Sequence, residues 1–242
     1  MHINQPMKMK NKKLARKLLV WSICVVLAVV IGYLVQYQQS DQINKTNEVI
    51  QQAPTGTALS ALGRLPVQER ADGADYERDL FGSGWASWRE CNVRQKILNR
   101  DVKNVQLATN GCTVISGTLF DPYTGEEIEL TNKSAVSHKV QIDHVVALSN
   151  AWQTGAQNLT EDERKELAND DLELIAVSSS ANNDKSDADA SEWLPSYEPF
   201  RCPYVARQIA VKLKYNLWVT VEERNAMASV LKTCPDEPLP AS

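Results

Sequence analysis

One uncharged apolar run stands out in the chain: "LLVWSICVVLAVVIGYLV", Leu18 to Val35. Its length suits the roughly 17–25 residues that cross a bilayer as a helix. The stretch behind it, "QQSDQINKTNEVIQQAPTG", is polar and lacks sustained apolar periodicity. It reads as a linker within residues 36–57. Patterned sequence follows, so a single folded domain is expected over residues 58–235, with a loose tail at 236–242. In the domain, "SALGRLPV" starts as a short helix, and "CNVRQKILNRDV" has helical spacing, with Val93, Ile97 and Val102 on one face. "CTVISGTLF" is a strand, "DPYTG" a turn and "EEIEL" the returning strand. "KVQI" is a further strand that runs into Asp143-His144, and the segment before it, Ser134–Lys139, reads as a polar loop. "LTEDERKELAND" is a helix opened by a capping box, Thr160 with Glu163. "LELIAV" is a short apolar strand or the start of a helix. "CPYVARQIAVKLKYN" is an amphipathic helix with Val205, Ile209 and Leu213 on its apolar side. "VTVEERNAMASVLKTC" opens with a second capping box, Thr220 with Glu223. Helices and antiparallel strands without repeated βαβ units make an α+β class.

Charge adds a compartment. Lys8, Lys10, Lys12, Lys13, Arg16 and Lys17 precede the apolar run, and no acid does. By the positive-inside rule residues 1–17 are a cytoplasmic tail, 18–35 a single-pass anchor in the lipid bilayer, and the rest is extracytoplasmic. A cleaved secretion signal is the rival reading, but "QYQQSDQ" offers no small-residue cleavage site. With those six removed from the 26 Lys and Arg, 20 remain against 30 Asp and Glu. Such an acidic domain does not grip nucleic acid through a broad basic face. A site that binds phosphate through a metal and a few local cations stays open to it. Nothing in the pattern identifies a protein partner.

Beyond Cys24, which lies in the apolar run, are Cys91, Cys112, Cys202 and Cys234. An even number in an exported domain points to two disulfides. Three pairings are possible, and Cys91–Cys112 with Cys202–Cys234 is favoured because each brackets a compact segment. No CxxC motif accompanies them, which argues against a zinc site.

The histidines are His2, His138 and His144. His138 reads as an exposed loop residue. His144 follows Asp143 at the end of a strand, and thirty-odd residues on comes "ANNDKSD", with Asn182 and Lys185. Hydrolysis of a phosphodiester needs a base for water and a cation for the charge on phosphate. A histidine near its ordinary pKa of about 6.5 supplies the base. A Mg²⁺-like ion needs only one or two protein oxygens, and Asp143 and Asn182 offer them, with Asn183 an alternative. Lys185 is read as a phosphate contact or as local electrostatic support. Arg207, Lys212 and Lys214 read as a solvated helix face. Trp85, Trp88, Trp152, Trp193 and Trp218 read as core or rim packing rather than base-stacking surfaces. Ser149 lacks the glycine pattern of a nucleophile elbow.

"IDHVVALSNAW", "NDDLELIAV" and "ANNDKSD" together resemble the HNH endonucleases, whose core is a ββα-metal finger. The chain looks most like exported members of that family with a domain related to the C-terminal domain of GmrSD-type restriction nucleases. The resemblance runs from Leu59 to Pro235 and takes in "GTLFDPYTG", "AWQTGAQ", "WLPSYEPFRCPYVARQIAVK" and "LWVT". It implies a metal-dependent DNA endonuclease that leaves 5′-phosphate and 3′-hydroxyl ends. His144 would be the general base, Asp143 and Asn182 the ligands of Mg²⁺ or Mn²⁺, and Lys185 a substrate contact. The middle motif position, commonly an asparagine that braces the finger, is Glu173. Glutamate lacks the amide donor, and its charge, if close, would raise the pKa of His144. The alternative to an active nuclease is therefore a cell-surface module that keeps the fold with a decayed site.

Overall fold

The computed structural model describes residues 7–241. His2, the first six residues of the expected cytoplasmic tail and Ser242 lie outside the described residues. The chain divides into two units, Met1–Lys45 and Thr46–Ser242. Helix α1, Met7–Gln51, makes up the described part of the first. Leu18 to Val35 are exposed along it, and it is long and apolar enough to cross a membrane.

The segment read as a linker is helical as far as Gln51. In the second unit its last turns pack against the fold. Thr46 Oγ1 donates to Asn225 Oδ1 at 2.6 Å, and Ile50 is buried. Polar residues with one apolar contact per turn carry too little periodicity to show this in the sequence.

The second unit is a mixed α+β domain. Helix α2 (Ala58–Leu62) is capped by Thr57. A short hairpin, β1 (Ser87–Trp88) and β2 (Cys91–Asn92), leads into α3 (Val93–Asp101), whose N-cap is Asn92. The helix stops one residue short of Val102, which opens strand β3 (Val102–Leu107) instead of closing the helical face. Strands β3, β4 (Val114–Phe120) and β5 (Glu127–Leu130) form an antiparallel meander. Gly117 in β4 is required there. A Cβ would meet Val102 Cγ1 and the Lys103 carbonyl at 2.5 and 2.7 Å, where β3 is bulged.

Residues 134–139, read as a loop, lie in helix α4 (Lys133–Lys139) under an Asn132 cap, with only Val136 buried. One apolar residue in two turns is too faint a pattern to reveal a helix. Strand β6 (Val140–His144) then pairs antiparallel with β7 (Leu174–Ser178), joined by α5 (Leu148–Gln153) and α6 (Glu161–Ala168). The capping box of Thr160 and Glu163 is formed in both directions. Helix α7 (Ser179–Lys185) follows β7 directly, and α8 (Arg201–Lys214) and α9 (Val221–Leu231) complete the unit.

Two apolar clusters flank the β6–β7 pair. Val140, Ile142, Leu174 and Ala176 join the one built on α3 and the meander. Ile175 and Val177 join the one built on α2, α8 and α9. Alternate side chains of β7 thus serve opposite cores. Burial on both faces makes the strand continuously apolar, which explains why "LIAV" reads equally as strand or helix. Disulfides Cys91–Cys112 and Cys202–Cys234 are both formed.

The second capping box is formed by half. Thr220 Oγ1 accepts from Glu223 N at 3.1 Å, but the Glu223 carboxylate turns inward to Lys212 Nζ at 2.9 Å. Lys212 is therefore fully buried rather than solvated. Arg207 is likewise turned inward, donating to the carbonyls of Asp171, Leu172 and Leu174. Lys214 pairs with Asp170 at 2.7 Å.

Candidate active site

The residues singled out in the sequence meet at the end of β6. Successive strand side chains normally point to opposite faces, so Asp143 and His144 share a site only where the strand stops. The strand does stop at His144, whose partner in β7 is Leu174. Asp143, His144 and Asn182 line one cleft of about 250 Å³, together with Arg78, Asn183 and Ser186. Asn182 reaches it from α7, which starts beside Val140, where β7 ends, and runs back until Lys185 meets Asp143.

His144 is 6% exposed. Its Nε2 lies 3.0 Å from the carbonyl of Ala168, the last residue of α6. A carbonyl only accepts, so Nε2 carries the hydrogen and Nδ1 keeps the lone pair. Among the described residues Nδ1 has no hydrogen-bond partner. The Trp85 ring lies over the imidazole, nearly parallel, at 5.7 Å between centroids. Burial brings the pKa of His144 down to about 3, and the charges of Arg78 and Lys185 push the same way against the Ala168 hydrogen bond. The direction is opposite to the one expected from a nearby Glu173. The ring is therefore neutral at physiological pH, and it is a weaker base than the ordinary histidine expected from the sequence.

Asp143 is held from both sides. Tyr123 Oη donates to Oδ2, and Lys185 Nζ donates to Oδ1 at 3.0 Å. Burial raises the Asp143 pKa, and Lys185 and Tyr123 oppose that rise by favouring the anion. Lys185 also donates to the His144 carbonyl at 2.9 Å. Its ammonium has no exposed surface. Lys185, read as a phosphate contact or as local electrostatic support, is in this structure the counter-ion of Asp143.

Glu173 is fully buried and, among the described residues, makes no hydrogen bond to the imidazole. Its Oε2 accepts from Val146 N at 3.2 Å, and its carbonyl accepts from Val145 N at 2.9 Å. It therefore braces the two residues after His144, not the ring. Among the described residues Oε1 has no partner, and burial holds the carboxyl well above the usual range. A protonated carboxyl offers an acceptor oxygen and one O–H donor, which is closer to an asparagine than the carboxylate is.

The Asn182 amide nitrogen donates to Gln141 Oε1 at 2.6 Å, which leaves Oδ1 for the cleft. Asp143, already compensated, retains free lone pairs. Among the described residues the one close trio of His, Cys, Asp or Glu ligand atoms is Cys202, Cys234 and Glu237, whose cysteines are spent in a disulfide. The donors at His144 are thus few, hard and open to the cleft. They fit an ion of the Mg²⁺ type, which keeps several waters, and not a closed zinc site.

Sequence reasoning missed Tyr123, Arg78 and Trp85. Tyr123 was visible only as part of "DPYTG", which does form its turn, with Gly125 N donating to Asp121 O at 2.8 Å. The other two lie some sixty residues before His144 and carry no local signal. His138 is an exposed residue in α4. Two of the tryptophans pack as expected, Trp193 against Tyr123 and Tyr204 and Trp152 against Phe81.

Comparison with known proteins gives two findings. The family model for the C-terminal domain of GmrSD restriction endonucleases matches residues 92–230. A protein of Arthroderma benhamiae described as an uncharacterized secreted protein is 39% identical over 180 residues, covering 74% of this chain and 85% of the relative. No solved structure matches the chain.

Proposed function

The chain belongs to the family of the C-terminal domain of GmrSD restriction endonucleases, and from that premise we propose that it is an exported, metal-dependent endonuclease acting on DNA. The observation that carries the reading is the convergence of Asp143, Asn182 and a neutral, oriented His144 on one cleft. In this reading the β6–β7 pair and α7 are the ββα-metal finger of the HNH type. Asp143 and Asn182 would hold Mg²⁺ or Mn²⁺. Such an ion, when bound, stabilises the charge that develops on the phosphate and the leaving oxygen.

The chain's own residues do the rest. His144 accepts a proton from the attacking water at Nδ1, while the Ala168 carbonyl fixes the tautomer and Trp85 fixes the plane of the ring. Lys185 and Tyr123 favour the ionised form of Asp143 against its burial and aim its carboxylate. Glu173 holds the chain after His144 in place. Helix α1 would anchor this domain outside the cytoplasmic membrane, with the basic tail inside.

The test uses the full-length protein in detergent. Plasmid with Mg²⁺ or Mn²⁺ is expected to be nicked, and His144→Ala with an unchanged melting temperature should abolish nicking. Nicking that survives this substitution sinks the mechanism. Calorimetric titration of either ion should show binding in the wild type and its loss in Asp143→Ala. Absence of binding in both would favour a decayed site. Mass spectrometry of the membrane-bound protein should find the N-terminal peptide, and a start beyond Val35 would replace the anchor by a cleaved signal.

A further inference from the structure

Two cavities adjoin His144. One, of about 200 Å³, is lined by Asp79, Ser83, Trp85 and His144 among others. The second is the cleft of Asp143 and Asn182. Arg78 lines both. Its backbone belongs to a short 3₁₀ turn, Arg78–Phe81, that is fixed to the domain. Phe81 is buried, and the Leu80 carbonyl accepts from Arg164 Nε at 2.9 Å. The Arg78 side chain is exposed. It forms no ion pair among the described residues, and its polar neighbour is the Tyr76 hydroxyl.

Four other cations read from the sequence are engaged elsewhere. Lys185 and Lys212 are fully buried in ion pairs. Arg207 is bonded to backbone carbonyls, and Lys214 to Asp170. In the second cavity Asp143 is paired with Lys185, whereas Arg78 forms no ion pair among the described residues. A planar guanidinium with five donors matches two oxygens of a phosphate.

We infer that Arg78 is the phosphate-binding residue of this site, its guanidinium holding non-bridging oxygens of the phosphodiester in the cleft with His144 and Asn182. The inference rests on the nuclease reading and names the group that grips the substrate on an otherwise acidic domain. Phosphate contacts of this kind give affinity without sequence preference.

The experiment measures anisotropy of a short fluorescein-labelled DNA duplex against salt, with the full-length protein in detergent and EDTA so that no cleavage occurs. Arg78→Ala is expected to weaken binding about tenfold. It should also flatten the slope of log affinity against log salt by about 0.9, the loss of one phosphate contact. Arg78→Lys should retain the slope, and Arg64→Ala, an exposed cation lining neither cavity, should leave both quantities unchanged. Because Arg78 is exposed, the melting temperature of each variant should equal that of the wild type. Equal affinity and slope in Arg78→Ala, or an equal loss in Arg64→Ala, would overturn the assignment even if the wild type nicks plasmid. A wild type that neither binds nor nicks DNA would overturn the nuclease reading itself, and Arg78 with it.

Discussion

Lys185 Nζ sits 3.0 Å from Asp143 Oδ1, with the lysine fully buried and the aspartate side chain 7% exposed. The pair ties α7 to the last residues of β6. Removing one partner of such a pair leaves an uncompensated charge in the interior, which costs about 3–5 kcal/mol. Lys185→Met is therefore expected to lower stability by that order in denaturant titration. An unchanged midpoint together with weaker DNA binding would instead make Lys185 a substrate contact.

Tyr123→Phe removes the phenol that donates to Asp143 Oδ2. The phenol is held well above its usual pKa, by burial first and Asp143 next, so it stays a donor at all physiological pH. Loss of a hydrogen bond to a buried charged group costs about 1.5–3 kcal/mol. If Asp143 is a ligand, its supporting partner also sets the metal affinity, and a loss of about 10- to 100-fold is expected by calorimetry. Wild-type metal affinity in Tyr123→Phe would argue that the ion rests elsewhere.

What was legible in the sequence follows from how local each signal is. The Asp143-His144 step, the turn at "DPYTG" and the Thr160 capping box are short-range patterns, and each is formed. The burial of Lys185 and Lys212 was not legible, because a lysine is assigned to the surface unless its partner is known. Their partners, Asp143 and Glu223, are brought to them by tertiary structure. Glu223 shows the competition directly: the capping role predicted from spacing is displaced by a buried ion pair. Arg78 and Trp85 reach His144 through a segment with little apolar pattern of its own. The role of Glu173 was half legible. Its position braces the fold, but through Val146 N and not through the imidazole.

The disulfides constrain different parts of the domain. Cys91–Cys112 closes a loop of 21 residues from β2 past β3, and Cys202–Cys234 one of 32 residues that contains nearly all of α8 and α9. Chain entropy assigns about 3 and about 4 kcal/mol to loops of these sizes. Replacing both cysteines of either pair by alanine should lower the unfolding free energy by those amounts, the second pair more than the first. Reductant should shift the wild type toward the double variants and leave a variant lacking both pairs unmoved.

Glu173 makes the stability of the domain depend on pH. Its folded-state pKa is raised, by burial first, with Asp143 adding to the rise and Val146 N opposing it. The native state therefore binds more protons than the unfolded chain between about pH 4.5 and the raised value. The contribution of Glu173 is complete below about pH 4.5 and is lost as pH rises through that window. Glu173→Gln keeps an oxygen for Val146 N but never ionises. The variant should thus gain in melting temperature relative to wild type as pH is raised from 5 to 8. His144 is common to both proteins, so its own titration cancels from the difference. A constant difference between the two melting curves across that range would show that Glu173 does not change its protonation on folding. A rise in nicking rate for Glu173→Asn, the residue common at this motif position, would separately show that the glutamate limits the enzyme.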